Sequence, residues 1–169
     1  MIFTIRPATR SDFPALQDIE LSAFETLRQA GGVSGEAVAS TYEQLQEYLD
    51  EGFLFAAFDE GGRAVGYAGA CVIEGDVYVG EVDVHTDFQR KGIGRALMCH
   101  MLDEVRARGF GRTSLTTDRF AQFNAPFYAS LGFEIVDGAD RPQYLTDIID
   151  CQVKKGLDPK RRVAMILRF

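Results

Sequence analysis

Three consecutive β-rich runs in the middle of the chain constrain its fold most strongly. The runs are FLFAAFD, AVGYAGACVIEG and VYVGEVDVHT, and the turn sequences EGGR and EGD separate them. Glycine beside acidic residues is typical of hairpin connections between strands. The middle of the chain is therefore predicted to be an antiparallel meander.

The hydrophobic period changes directly after the meander. Apolar residues then recur at helical spacing, at Ile93, Ala96, Leu97, Met101 and Val105. Gly109 ends this helix, and RTSLTTD follows it as another strand. Because a long helix joins the third meander strand to this one, we expect a parallel, right-handed crossover between them.

The remaining elements flank this central unit. We expect a short strand at FTIRPAT, a helix capped by Ser11 and Asp12, and a second helix from Tyr42 to Leu49. The C-terminal part reads as a helix around 124 to 131, a strand FEIVD, a helix around 142 to 155 and a final strand RVAMILRF. The sequence thus predicts one α/β domain over residues 1–169, with helices on both faces of a mixed, mostly antiparallel sheet.

Composition excludes several classes of partner. The net charge of −7 argues against nucleic acid and favours a cationic or amine-bearing partner. No apolar run approaches the roughly 20 residues that a bilayer requires, so no membrane is expected. The N-terminus lacks a secretory pattern, which favours the cytoplasm. Cys71, Cys99 and Cys151 form no C-x-x-C pair, so we expect core thiols and no metal site.

The stretch QRKGIGRA at residues 89–96 carries cations where a helix start normally favours negative charge. It supplies no G-x-x-x-x-G-K-[ST] Walker loop, and Leu97 stands where the dinucleotide fingerprint requires its third glycine. Glycines in a first helical turn let bare backbone amides approach an anion closely, and a pyrophosphate would suit them. A solvated basic loop ahead of an ordinary helix is the alternative.

Two stretches resemble the signatures of the GNAT acetyltransferase superfamily. Gln89-Arg90-Lys91-Gly92-Ile93-Gly94 resembles its Q/R-x-x-G-x-G/A motif, and NAPFYASLGFEIV resembles its second signature. The N-A-P-F-Y motif and the R-V-A-M tail resemble a bacterial-type subgroup whose acceptors are largely undefined. The resemblance implies a GNAT-like fold with the parallel crossover at the cofactor loop.

The resemblance also implies acetyl-CoA as the acyl donor. The loop and helix start would grip its pyrophosphate, and the backbone of Val82 and Val84 would pair with the pantetheine arm. Asn124 either contacts the cofactor or caps its helix, since many relatives place the cofactor-binding Asn at the position of Ala121. The cofactor-binding residues expected in the loop and helix start are Gln89, Arg90, Lys91, Gly92, Ile93, Gly94 and Arg95.

Acetyl transfer to an amine needs a neutral amine, a donor for the oxyanion and an acid for the leaving thiolate. Tyr128 is the expected acid, and a buried packing aromatic is its alternative reading. The amide of Val82 would bind the oxyanion if the third meander strand splays from RTSLTTD, a splay that the resemblance implies.

The general base is the least determined role. Glu81, Asp83 and His85 alternate onto one face of their strand, and Glu81 is the preferred base. A solvated or salt-bridged strand face explains the same pattern. Candidates for the acceptor side lie on the first helix, where ordinary packing is the alternative: Leu21, Phe24, Leu27 and Arg28.

The sequence therefore predicts an N-acetyltransferase that transfers the acetyl group of acetyl-CoA by direct attack of an amine within a ternary complex. The acceptor is expected to be a small-molecule or peptide amine, and the resemblance also allows a homodimer. Cys71 and Cys99 are not favoured as acetyl carriers, because small thiols are commonly buried. A non-catalytic, CoA-binding or regulatory module is the competing hypothesis, since fold does not fix activity.

Overall fold

The computed structural model describes residues 1–169 and shows a seven-stranded sheet in the order β1-β2-β3-β4-β5-β7-β6. The strands are β1 Phe3–Pro7, β2 Leu54–Asp59, β3 Ala64–Ile73, β4 Asp76–Val84, β5 Arg112–Asp118, β6 Glu134–Val136 and β7 Arg162–Arg168. Only β4 and β5 are parallel. The predicted fold class, with its meander and single crossover, is confirmed.

Five helices cover the two faces of the sheet. They are α1 Phe13–Gln29, α2 Tyr42–Asp50, α3 Ile93–Ala107, α4 Ala125–Ala129 and α5 Gln143–Lys154. One apolar cluster packs α3 and α4 against the sheet, and a second packs α1, α2 and α5 against the opposite face. None of these helices combines the length and the apolar character that crossing a bilayer would require.

The first helix begins differently from the prediction. A short 3₁₀ turn, Arg10–Asp12, precedes α1, and the Thr9 N–H donates to the Asp12 carboxylate at 2.8 Å. The Asp12 side chain therefore stabilises the turn. It makes no capping hydrogen bond to the first amides of α1. The prediction that Ser11 and Asp12 cap this helix was wrong because both residues belong to the turn, and the Asp12 carboxylate bonds back to Thr9 instead of to the amides of α1.

The cysteines also depart partly from the prediction. Cys71 is buried in β3, as expected, but Cys99 and Cys151 are exposed. Cys99 lies beside Met98 on α3, where Met98 faces the core and the neighbouring position turns toward solvent. All three thiols are free.

The sheet opens between its two central strands. β4 pairs with β5 only through Val77 with Thr113 and Tyr78 with Ser114. A bulge in the β3–β4 register follows, at Gly69 and Ala70, and bulges bend the strand that carries the extra residue. β5 pairs along its whole length with β7 instead. The splay that the resemblance implied is thus present, and it begins where β4 passes Tyr78.

Candidate active site

A cavity of about 1330 Å³ connects the start of α3 to the α1 face of the sheet. Its lining comes from α1, the C-terminal half of β4, the 86–95 segment and residues 123–128. These parts lie on both sides of the gap between β4 and β5. The cavity therefore passes through the opening in the sheet.

The amides at the start of α3 are free. Gly92 adopts a φ of 83°, which favours glycine, and no side chain caps the helix. The first helical hydrogen bond runs from the Ala96 N–H to the Gly92 carbonyl at 3.0 Å. The N–H groups of Ile93, Gly94 and Arg95 therefore lack intrahelical partners, as at any helix start, and here they border the cavity.

The cations of this segment form an exposed rim. Arg90, which also has a positive φ of 59°, makes no ion pair, and its side chain is exposed. Lys91 Nζ donates to the Asp87 carbonyl at 2.9 Å, and Arg95 donates to Ser130 Oγ at 2.7 Å. The Ile93 side chain is 1% exposed and belongs to the core. Ile93 can thus offer a ligand only its backbone.

The backbone of β4 faces the gap at alternate residues. The His85 N–H donates to the Val65 carbonyl of β3 at 3.0 Å. Because backbone groups alternate sides along a strand, those of Val82 and Val84 point away from β3, toward the opening. The Val84 carbonyl accepts Gln89 Nε2 at 3.0 Å, and Gln89 Oε1 accepts from Thr26 at 3.1 Å. The Gln89 side chain therefore links α1 to β4 through two hydrogen bonds.

Tyr128 lies in α4 at the gap. Its side chain is 8% exposed and packs edge-on against Phe127 and Phe133. The hydroxyl makes no hydrogen bond within the protein, and the residue lines the cavity. Burial, assisted by the charges of Asp83 and Glu81, raises the pKa of Tyr128 well above its ordinary value. The phenol is thus both a packing aromatic and a protonated group available to a ligand.

Three carboxylates meet on the opposite side of the gap. Glu81 and Asp83 come from β4, Glu20 comes from α1, and one oxygen of each lies within 4.8 Å of the others. Burial raises the pKa of Asp83 to about 7 and raises those of Glu81 and Glu20 above their ordinary range. None of the three forms a salt bridge. The salt-bridged form of the alternative is therefore wrong, and the side chains of Glu81 and Asp83 face the cavity rather than the outer surface.

Glu20 was missed from the sequence. Its carboxylate accepts hydrogen bonds from the Ser40 N–H and Ser40 Oγ, both at 2.8 Å, which fix it toward β4. The available signal was its position, four residues after Leu16 and seven after Phe13. Both of these side chains are fully buried, so this acidic residue occupies the inward face of an amphipathic helix.

Other predicted residues divide between the cavity and the surface. Phe24 and Leu27 line the cavity, whereas Leu21 is 41% exposed and Arg28 pairs with Glu25. β4 ends at Val84, and His85 turns toward Asp87. His85 does not line the cavity, so the structure does not bring it together with Glu81 and Asp83.

Asn124 occupies the N-cap position of α4 without capping it. Its side chain makes no cap hydrogen bond, and the residue lines the cavity. The capping alternative is wrong, and the amide of Asn124 is available to a ligand.

The fold is that of known N-acetyltransferases. The crystal structure of the ribosomal-protein-S18-alanine N-acetyltransferase from Escherichia coli has a TM-score of 0.72 at 22% identity, covering 99% of this chain and 94% of that one. Arabidopsis thaliana Naa50 in complex with a bisubstrate analogue, CoA-Ac-MVNAL, has a TM-score of 0.71 at 16% identity, and each chain is fully covered.

Sequence similarity leads to the same family. The model of the "Acetyltransferase (GNAT) family" matches residues 13–133. The [ribosomal protein bS18]-alanine N-acetyltransferase of Escherichia coli K12 is 30% identical over 130 residues, which are 77% of this chain and 80% of that protein. The chain belongs to the acetyltransferase (GNAT) family, which confirms the predicted family and its classification as an acetyltransferase.

Proposed function

We propose that this protein transfers the acetyl group of acetyl-CoA to a primary amine, by direct attack within a ternary complex. The supporting observation is that one cavity links the free amides of α3 to the carboxylates through the gap in the sheet. Donor and acceptor would meet at that gap, where Tyr128 lies. No covalent acetyl-enzyme is needed, and the buried thiol of Cys71 does not line the cavity.

Acetyl-CoA would be held along β4 and the start of α3. The amides of Gly92 to Arg95 would bind the diphosphate, as helix starts commonly bind anions. The rim cations Arg90, Lys91 and Arg95 would add exposed, salt-sensitive attraction. The carbonyl of Val82 and the N–H of Val84 would pair with the pantetheine arm, and the Asn124 side chain would contact the same molecule.

The proton of the incoming ammonium would pass to the carboxylates of β4. Burial and mutual repulsion favour the protonated form of Glu81, and hydrogen bonding between the two side chains favours a charged Asp83. Glu81 was the base expected from the sequence, and we now propose the Glu81–Asp83 pair as the unit that accepts the proton. A base with a pKa near 7 is well matched to neutral pH.

Stabilisation of the oxyanion and protonation of the leaving thiolate would take place in the gap between β4 and β5. The Val82 amide would donate to the oxyanion, and Tyr128 would protonate the departing thiolate. Its raised pKa makes Tyr128 a weak acid while the carboxylates are charged. Once the pair has taken the amine's proton, part of the charge that raises the pKa of Tyr128 is removed. Deprotonation of the amine thereby prepares the acid for the later step.

The acceptor is an amine of a small molecule or a peptide. Relatives named for acetylating a ribosomal protein's alanine favour the peptide. We also propose a cytoplasmic location, because free thiols suit a reducing compartment, and we assign no nucleic-acid partner. A homodimer stays a prediction.

A thiol-release assay with acetyl-CoA and a panel of amines tests the proposal. Release of CoA that depends on an added amine is the expected result, with the acetylated amine identified by mass spectrometry. Tight CoA binding with no turnover across small amines and peptide amines would instead favour the non-catalytic, CoA-binding module.

A further inference from the structure

We propose that Glu20, Glu81 and Asp83 form a binding site for a positively charged amine and exclude amines that carry a carboxylate on the neighbouring carbon. The acceptor would then be an amine such as a peptide N-terminus or a polyamine, and not a free amino acid. This inference rests on the proposed acetyl transfer and names the substrate class of the same site.

The three carboxylates have no cation to balance them. Each salt bridge of the protein involves other acidic residues. Arg162 is the cation whose charge acts on Glu81. Its guanidinium donates to Gln152 and Thr116 instead, at 3.1 and 3.2 Å. A bound ammonium would supply that positive charge and shift the cluster toward its ionised form, against the burial that favours a protonated Glu81.

Tyr67 provides independent support for a ligand at this position. Its side chain is fully buried, and its hydroxyl lies within reach of the Glu20 carboxylate and of Ser40 but makes no well-formed hydrogen bond to either. Tyr67 lies directly opposite Asp83 in the β3–β4 register, so the two side chains share a face. Buried hydroxyls are normally satisfied, which makes this one a candidate ligand group.

Asp83 has a second unsatisfied atom at the same place. Its Oδ2 is buried and makes no hydrogen bond. An alkylammonium carries three N–H donors and no acceptor. Together, the Asp83 Oδ2, the Tyr67 hydroxyl and the oxygens of Glu20 and Glu81 supply the acceptors that such a donor needs.

The same charges would repel a carboxylate on the acceptor. Two like charges about 6 Å apart lower affinity by roughly 30-fold or more at the effective dielectric of a protein surface. The rim cations lie at the other end of the cavity, around the start of α3. Arg28 is occupied by Glu25 and the Gly35 carbonyl. An α-carboxylate would therefore find no free cation on this side.

The test compares amines that differ only in that carboxylate. Alaninamide and alanine are assayed with acetyl-CoA, and a tripeptide amide and 1,4-diaminobutane form two further arms. Because an α-carboxylate also raises the pKa of the neighbouring amine, kcat/KM is calculated per unprotonated amine for both compounds. On that basis we expect the value for alaninamide to exceed that for alanine by about 30-fold or more. Comparing kcat/KM for the tripeptide amide with that for 1,4-diaminobutane shows whether a peptide amine or a polyamine is the better acceptor.

Glu20→Gln removes one charge while it keeps a polar side chain beside Ser40. We expect it to raise KM for alaninamide and to lower the alaninamide-to-alanine ratio about fivefold or more, with acetyl-CoA affinity unchanged. Asp18→Asn is the matched control, because Asp18 is an exposed residue of the same helix that lies outside the cavity. It should leave both quantities as in the wild type.

Three results would overturn the inference. Alanine could be acetylated as well as alaninamide, the ratio could survive Glu20→Gln, or activity could require a divalent metal and disappear with a chelator. All three leave acetyl transfer intact. Failure of the proposed function itself looks different, since no amine would then release CoA.

Discussion

Tyr128 is the residue whose substitution separates chemistry from cofactor binding. Its hydroxyl makes no hydrogen bond in the protein, so Tyr128→Phe should fold normally. We expect kcat to fall by about 100-fold, since a positioned acid contributes at least that much, while the Kd for acetyl-CoA changes by less than about twofold. Steady-state kinetics and calorimetry measure the two quantities. Unchanged turnover would remove the acid role.

Asp83 should set the acidic limb of the pH profile. Burial raises the pKa of Asp83 to about 7, and the carboxylate accepts a proton only when it is charged. Activity should therefore fall as the pH drops through about 7. In Asp83→Asn, kcat should be lower and that limb should be lost or displaced. A profile of kcat/KM between pH 5.5 and 9 checks this, and an unaltered limb in the variant would exclude Asp83.

The same carboxylates affect the free energy of unfolding in the opposite direction from activity. Lower pH should reduce activity but increase stability. A raised folded-state pKa means that the folded protein binds more protons than the unfolded chain between about pH 4 and 7. The cluster's contribution to the free energy of unfolding should thus increase as the pH falls through 7. Urea unfolding at pH 8 and pH 6 should show this gain shrink in Asp83→Asn. An equal gain in both proteins would contradict the raised pKa.

At the scale of elements, the start of α3 is the part that we propose to hold the diphosphate of the cofactor. Gly92→Glu would bring an anion and a side chain to the free amides, and we expect acetyl-CoA binding to fall below detection by calorimetry. Gly92→Asn is the matched control, because Asn tolerates the positive φ of this position. Normal affinity of a folded Gly92→Glu variant would show that the amides do not hold the donor.

The β3–β4 bulge depends on close packing by α2. A Cβ on Gly69 would lie 2.3 Å from the Tyr48 ring, and Tyr48 is buried. Gly69→Ala should reduce the free energy of unfolding by about 1–3 kcal/mol, the usual effect of overpacking. Gly111→Ala, where a Cβ would meet nothing within 4 Å, should change it little. Equal urea midpoints for the two variants would contradict this packing.

Elements with strong local signals could be predicted, and long-range placements could not. The meander, α3 and the crossover follow from hydrophobic period and turn residues. Glu20 was missed because only the packing of α1 on β4 brings it to Glu81 and Asp83. His85 continues the pairing with β3, but its ring lies beside Asp87 and Phe88, so local contacts after the strand keep it out of the cavity. The splay between β4 and β5 was predicted only from the family resemblance, because no residue type in the sequence indicates where two strands separate.

At the scale of the whole molecule, opposite charges lie at the two ends of one cavity. Cations and helix amides border the end beside α3, and three carboxylates border the end beside α1. A polyanionic donor and a cationic acceptor would therefore enter from different faces of the sheet. The net charge of −7 would favour the approach of the acceptor and oppose that of the donor, so donor binding must depend on local contacts.

The central claim is that the free amides at the start of α3 hold the diphosphate of the donor. Calorimetry with the intact donor and with a donor lacking the diphosphate tests this claim most directly. Acetyl-CoA should bind the wild-type protein with measurable heat, and S-acetylpantetheine should bind at least about 100-fold more weakly, because it cannot reach the amides of α3. Equal affinities for the two, or no heat with acetyl-CoA, would contradict the claim that the helix start holds the diphosphate.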